Sequence, residues 1–277
     1  SQDLTDTNLR LPGSALENLV ATLAETAADP LFGLRAARFI QPGSWSVLGY
    51  ITMNCATLGE AINRIVPYEK LVGDAGTSRL EPAGDHLRLV WHCRHQAAQV
   101  RRHLVENVLA AWLLYARWIS DRPYSPRAVW FEHVRPAGAA STDYEDVFGC
   151  PVLFGQTCNA LLIPWEYLDL PLRQADPALL RTLEEHALAQ LATLSDSEPL
   201  PLRVKHALRR LLGHSLPRKE EVAARLGLSV RTLQRRLQQA GTGYQEILDK
   251  LRRELAEDYL LRSELSLQEI AERLGFS

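Results

Sequence analysis

Apolar positions recur along this chain with two different periods, and the switches between them mark its elements. Ser14-Ala-Leu-Glu17 is a capping box, and Leu16, Leu19, Val20 and Leu23 behind it share one face of a helix that should close near Asp29-Pro30. Phe32 to Ile40 predicts a short helix broken at Pro42-Gly43, and Ser44 to Met53 is apolar with many small residues. Thr57-Leu-Gly-Glu60 caps a further helix with Leu58, Ala61, Ile62 and Ile65 inside, which Pro67 should stop. The period then drops to two. Leu87, Leu89, Trp91 and Cys93 alternate with His86, Arg88, Val90 and His92, and Pro82-Ala-Gly-Asp85 separates them from Thr77 to Glu81, which predicts a hairpin. Val100 to Ser120 returns to the helical period but is apolar on most sides (Val105, Val108, Leu109, Trp112, Leu113, Tyr115, Trp118). Such a helix is either buried centrally or also faces a second subunit. Ala128 to Val134, Val152 to Phe154 and Ala160 to Pro164 predict short strands, with turns at Phe148-Gly-Cys-Pro151 and Thr157-Cys-Asn159. Pro177 to Leu194 is helical again, with Leu180, Leu183, Ala187, Leu191 and Leu194 on one face.

These elements predict an α+β domain over residues 1–194, helices with a small, mostly antiparallel sheet. Ser195-Asp-Ser-Glu-Pro-Leu-Pro201 reads as a linker, and residues 202–277 carry only helical patterns. Within this last part Glu221 to Ser229, EVAARLGLS, recurs 48 residues later as Glu269 to Ser277, EIAERLGFS, with six of nine positions identical. In each copy a helix-spaced apolar pair (Val222 and Leu226, Ile270 and Leu274) ends at a Gly, which tolerates the left-handed conformation that terminates a helix. A Ser suited to cap a new helix follows. After the first copy the new helix turns Val230, Leu233 and Leu237 inward and Arg231, Thr232, Gln234, Arg235 and Gln238 outward. A short helix, a Gly turn and a second helix with a basic, amide-rich outer face form a helix-turn-helix suited to a DNA major groove. Between the copies, Thr242 and Gln245 are spaced as a capping box for a run to about Arg262 striped by Ile247, Leu248, Leu251, Leu255, Tyr259 and Leu260. At ~1.5 Å per residue this connector spans roughly 27 Å, enough to hold two units about one DNA turn apart.

Two such units on one chain, a connector carrying LRRELAEDYLL, and LQEIAERLGFS after it resemble the AraC family of bacterial transcription regulators. The resemblance covers about Pro199 to Ser277 and rests on Ala223, Leu226, Gly227, Ser229, Leu233, Arg235, Gly241, Arg252, Ala256, Leu260, Ile270, Ala271, Gly275 and Phe276. It implies promoter DNA as a partner, RNA polymerase as a second, and an N-terminal domain of the arabinose-binding type that senses a small-molecule effector. The helical patterns of the first half do not fit the cupin-like barrel of the arabinose-responsive members. In resembling proteins the positions of Arg231, Gln234 and Arg235 contact bases, where Arg pairs with guanine and Gln with adenine through two hydrogen bonds. Arg236, Arg218 and Lys219 are expected to meet phosphates. Because Ser277 stands where the second recognition helix would begin, the second unit is expected to be truncated. The chain as given should then bind its operator more weakly than one extended through that helix.

Composition sharpens this picture only in places. At 277 residues, 46% hydrophobic and 23% charged, the chain has room for two ordinary cores. The net charge of −2 hides an asymmetry: Pro199 to Ser277 holds fifteen Lys and Arg against ten Asp and Glu, a net +5, which leaves −7 for the rest. A basic module beside an acidic one fits DNA binding next to a domain that does not touch DNA. Cys55, Cys93, Cys150 and Cys158 have no C-x-x-C spacing and read as reduced thiols of a cytoplasmic protein. Val105 to Ile119 is too short and too interrupted to span a bilayer. His92, Cys93 and His95, with His103 further on, are metal-ligand candidates, but His92 and Cys93 on a strand point to opposite faces and no tight pair of ligand spacings accompanies them, so no metal or other cofactor is expected. No G-x-S-x-G, G-x-x-x-x-G-K-[ST] or H-E-x-x-H motif is present, and no catalytic residue is assigned. For an effector pocket the candidates are Tyr50, Tyr68, Trp91, Trp112 and Tyr115, between the hairpin and the apolar helices. The abundant apolar surface on the Val100 and Pro177 helices predicts a homodimer through the first domain. The alternative is that this domain only dimerises or docks protein partners, without a small ligand.

Overall fold

A computed structural model describes residues 13–197, 199–212, 218–262 and 266–275 of the chain. They fall into two units, the first reaching to Leu191 and the second starting at Ala192. The first unit opens with helices α1 (Gly13–Ala27) and α2 (Phe32–Ala36), two 3₁₀ turns (Ala37–Phe39 and Pro42–Trp45), α3 (Ser46–Met53) and α4 (Leu58–Val72). Thr57 caps α4 by accepting from the Glu60 amide at 3.2 Å. Contrary to expectation, Pro67 lies inside α4 rather than ending it. Proline in a helix interior costs about 3 kcal/mol, but the turn beyond it buries Tyr68 and Leu71, each worth roughly 1.5–3 kcal/mol when removed from water. Tertiary packing therefore outweighs the local break.

Strands β1 (Gly76–Ala83) and β2 (His86–Cys93) form the expected hairpin, with Gly76 opposite Cys93 and Ala83 opposite His86. Helix α5 (Ala98–Ser120), strand β3 (Ala128–Trp130), helix α6 (Ser141–Phe148), strands β4 (Val152–Leu153) and β5 (Ala160–Pro164), a 3₁₀ turn (Trp165–Asp169) and helix α7 (Pro177–Ser197) follow. The sheet order is β1-β2-β5-β3-β4, antiparallel throughout except for the parallel β3–β4 pair. Leu87, Leu89, Trp91 and Cys93 are buried, as their alternation requires. Val90, placed by the same alternation on the polar row, is buried too, because β5 and β3 bring Ala160, Leu162 and Ala128 beside it in a small separate cluster. Helix α6 has no counterpart among the predicted elements. Its eight residues present only Tyr144 and Phe148 to the core, both fully buried, and Asp143 caps it by accepting from the Ala140 amide at 2.7 Å.

The all-round apolar character of α5 is accounted for within its own unit. Its sides pack on α1, α2, β2, α6 and the first 3₁₀ turn, burying Val105, Leu109 and Leu113, while Trp118 stays exposed. Helix α7 runs through Ser197, past Ser195 where composition starts a linker, and the next helix begins at Leu200.

The second unit contains α8 (Leu200–Leu211), α9 (Lys219–Arg225), α10 (Val230–Gln239), α11 (Tyr244–Arg262) and α12 (Leu267–Arg273). Val204, Leu208, Val222, Ala223, Leu233, Leu237 and Leu251 form the centre of its core, joined by Ile247, Leu248, Leu255, Ile270 and Leu274. Two local expectations fail here. Thr242 donates to the Glu246 carboxylate at 2.9 Å and Gln245 to Asp249 at 2.9 Å, so the pair makes no capping box. Leu260, expected in the buried stripe, is exposed.

Candidate functional site

In the second unit the turn between α9 and α10 hinges on Gly227, whose φ of +65° is the left-handed region that favours glycine. Ser229 then caps α10, its Oγ accepting from the Thr232 amide at 3.2 Å. Leu233 and Leu237 are wholly buried and Val230 half-buried, so three apolar residues on one side anchor the helix. Arg231, Gln234, Arg235 and Gln238 stand exposed, at the three- and four-residue spacing that shares a helix face, and Arg236 is exposed as well. Two expected contact residues are placed otherwise. Thr232 is half-buried with its hydroxyl 2.9 Å from Ser229 Oγ, which makes it part of the cap. Lys219 is half-buried with its ammonium 5.6 Å from the Tyr244 ring centroid, held against the core edge, whereas Arg218 is exposed at the start of α9.

The second copy of the repeat reproduces this geometry as far as it is described. Ser266 and Glu269 form a reciprocal capping box at the start of α12, and Gly275 repeats the left-handed turn with φ +72°. Arg252 on α11, whose side chain is 11% exposed, donates to the Leu274 carbonyl at 2.9 Å and the Gly275 carbonyl at 3.2 Å. Those carbonyls have no partner within the ending helix, so Arg252 both satisfies them and fixes the second turn to the connector. The expected start of a second recognition helix at Ser277 lies outside the described residues.

In the first unit the helices and sheet line a partly open cavity of about 780 Å³. Of the five aromatic candidates, Trp91, Trp112 and Tyr115 line it; Tyr50 is exposed and Tyr68 is buried elsewhere. Both misses follow from helix geometry. On α3 it is Leu48 and Thr52 that face inward, leaving Tyr50 on the outer side, and on α4 the inward set is Leu58, Ala61, Ile62, Ile65 and Glu69, one position past Tyr68. Trp45 lies edge-on to Tyr115 at 4.6 Å between ring centroids, and the Tyr115 hydroxyl donates to the Gly49 carbonyl at 2.6 Å.

Most of the wall is aliphatic or aromatic, and apart from Thr52 on α3 its charged and hydroxyl-bearing aliphatic members gather where α4, β1 and the end of β2 meet. Glu69 Oε2 accepts from the Ser78 amide at 2.7 Å, and burial holds the Glu69 carboxyl above its ordinary range. His95 Nδ1 lies 2.7 Å from Glu17 Oε1, and Arg94 Nη1 lies 3.9 Å from Asp74 Oδ1. Glu69, Ser78, Arg94 and His95 escape sequence reading because no local period singles out the one polar residue per element that meets a shared void. A separate buried cluster braces α5: Glu106 accepts from the Tyr144 hydroxyl at 2.6 Å and from Arg102 Nη1 at 3.2 Å. Beside it His103 Nδ1 accepts from the Gly33 amide at 3.2 Å, and burial pushes the His103 pKa down to about 4. Among the described residues no group of three or more His, Cys, Asp or Glu could hold a metal ion, and no helix is long and apolar enough to cross a membrane.

Comparison with known proteins follows the same division. Residues 1–172 match the arabinose-binding domain of AraC transcription regulators, and residues 222–277 match a helix-turn-helix domain. The ornithine utilization regulator of Pseudomonas aeruginosa is 33% identical over 276 residues, spanning 99% of this chain and 80% of that protein. The HTH-type transcriptional regulator VirS of Mycobacterium tuberculosis is 29% identical over 272 residues, 95% of this chain and 78% of its own. Among solved structures, the transcriptional regulator CdpR from Pseudomonas aeruginosa shares the fold with a TM-score of 0.51 at 20% identity, covering 97% of this chain and 92% of that one.

Proposed function

Since the chain belongs to the AraC family of DNA-binding, helix-turn-helix transcription regulators, we propose that its first unit senses a small molecule and that α10 reads promoter sequence. The observation that carries the DNA half is the exposed row Arg231, Gln234, Arg235 and Gln238 on a helix anchored by Leu233 and Leu237. Arg231, Gln234 and Arg235 are assigned to base edges, where each two-bond pair discriminates one base pair, and Arg218 and Arg236 to phosphates, which position without specifying.

The sensing half is supported by the cavity, whose 780 Å³ falls among the roughly 300–1,000 Å³ of small-molecule pockets. One relative is named for the use of a metabolite, ornithine, which accords with a metabolite-responsive role here. Ligand would act by binding one arrangement of the protein better than another, and by linkage operator DNA would alter ligand affinity by the same factor.

Footprinting of Arg235→Ala on a defined operator tests the assignment of α10. The variant should lose about 1–3 kcal/mol of binding and relax its preference at one base pair, whereas Arg236→Ala should weaken all sequences alike and flatten the salt dependence. Unchanged affinity and unchanged base preference in Arg235→Ala would remove α10 as a reader of sequence.

A further inference from the structure

Among the described residues, four hydroxyl-bearing side chains line the cavity, those of Thr52, Ser78, Tyr115 and Tyr124, and each residue is less than a tenth exposed. Three of these hydroxyls are already used inside the protein. Thr52 donates to the carbonyls of Leu48 and Gly49 at 3.0 and 2.9 Å, and Tyr115 donates to the Gly49 carbonyl at 2.6 Å. The Ser78 side chain joins its own amide on the Glu69 carboxylate. Tyr124 differs. It is 7% exposed, and its hydroxyl makes no hydrogen bond among the described residues; Arg117 and Tyr167 act on it through charge alone. The oxygen is not sealed in the packing either, and the space that Tyr124 borders is the cavity. Burial pushes the hydroxyl's pKa up, so it stays a neutral donor and acceptor.

This residue is also held in place. It lies between α5 and β3, its ring 5.1 Å from that of Tyr167 between centroids. Arg117 on α5 donates to the Tyr124 carbonyl at 2.8 Å and, through its other two nitrogens, to the Val147 and Phe148 carbonyls at 2.8 Å each, which ties the segment to α6. A ligand meeting a hydroxyl on a fixed segment has little ordering cost to overcome.

Apolar residues make up most of the buried wall, among them Leu58, Ile62, Leu89, Leu161 and Ile163. The carboxylates Glu69 and Asp74 and the guanidinium of Arg94 share one corner, where Arg94 attracts both acids, so that corner selects neither sign of charge. An ionic group carried past it would lose its hydration with no counter-ion to replace it, whereas an uncharged oxygen needs only one partner. Resting on the sensing role proposed above, we infer that Tyr124 is a specificity-determining residue of the cavity and that the effector is an apolar molecule whose uncharged oxygen, a carbonyl or a hydroxyl, hydrogen-bonds the Tyr124 hydroxyl.

The test compares the full chain with its Tyr124→Phe variant by equilibrium dialysis, using two probes of one shape, 4-phenylbutan-2-one and butylbenzene. The substitution keeps the ring beside Tyr167 and removes only the oxygen. It should weaken ketone binding about fivefold, the size of one neutral hydrogen bond, and leave butylbenzene binding unchanged, the latter showing that the cavity is intact. Because the hydroxyl has no partner in the protein, the melting temperature of the ligand-free variant should not fall. An unchanged ketone affinity, or an equal loss for both probes, overturns the inference but keeps the cavity as a ligand site. A lower melting temperature would give the hydroxyl a structural role and count against it in the same way. Failure of both probes to bind the unsubstituted chain removes the sensing role together with the inference.

Discussion

The two units turn the same kinds of side chain to opposite uses. In the second, a helix is held by a few local apolar contacts so that arginines and amides can stand in solvent, and what it does is written on its outer face. In the first, residues from Gly13 to Ile163 converge on a partly open cavity, and the sensing proposed for it would lie on inner faces that are also the core. The difference teaches where function and stability can be separated. A change at Arg235 touches no packing, whereas most changes around the cavity disturb its lining and the fold together.

This contrast is most severely tested by Leu237→Ala. Truncating a wholly buried leucine costs about 2–5 kcal/mol, a large fraction of the stability of a unit this small. Thermal unfolding followed by circular dichroism should show the second unit melting early and operator binding lost, while the first unit's transition stays in place. A first-unit transition that falls equally would mean that the two do not fold independently, and the contrast would collapse.

Acid should then separate the units in the opposite sense. The folded-state pKa of His103, about 4 against an ordinary 6.5, means that the unfolded chain binds this proton more readily than the folded one. Its contribution to stability is complete above about pH 6.5 and is lost as pH falls toward 4. The first unit's melting temperature should drop across that window. His103→Asn, which keeps an acceptor for the Gly33 amide, should flatten the slope; an unaltered slope would assign acid sensitivity to other groups.

The smallest effect expected is at the cap of α10. Ser229→Ala removes the oxygen that accepts the Thr232 amide and should cost the second unit about 1 kcal/mol, weakening operator binding without changing base preference. A shifted base preference in footprinting would show that the cap also sets the orientation of the recognition helix.

What the sequence determined by itself is whatever rests on neighbours a few residues apart. The caps at Thr57 and Ser229, the left-handed glycines at 227 and 275, the hairpin alternation and the repeat that names the helix-turn-helix all depend on short-range geometry, so the residues that specify them sit beside one another. The exposed row of α10 was legible for the same reason, since one anchored face defines the other. Only the tertiary structure decided the rest. Pro67 stays helical because distant elements cover Tyr68 and Leu71, and Val90 is buried because β5 and β3 arrive beside it. Lys219 is withdrawn from the outer face by the Tyr244 ring, and Arg252 finds its acceptors 22 and 23 residues further on. The cavity belongs wholly to this second class. Aromatic content suggested Trp91, Trp112 and Tyr115 but equally Tyr50 and Tyr68, because which side of each helix meets the void depends on how separate elements pack, and that is not encoded in any one segment.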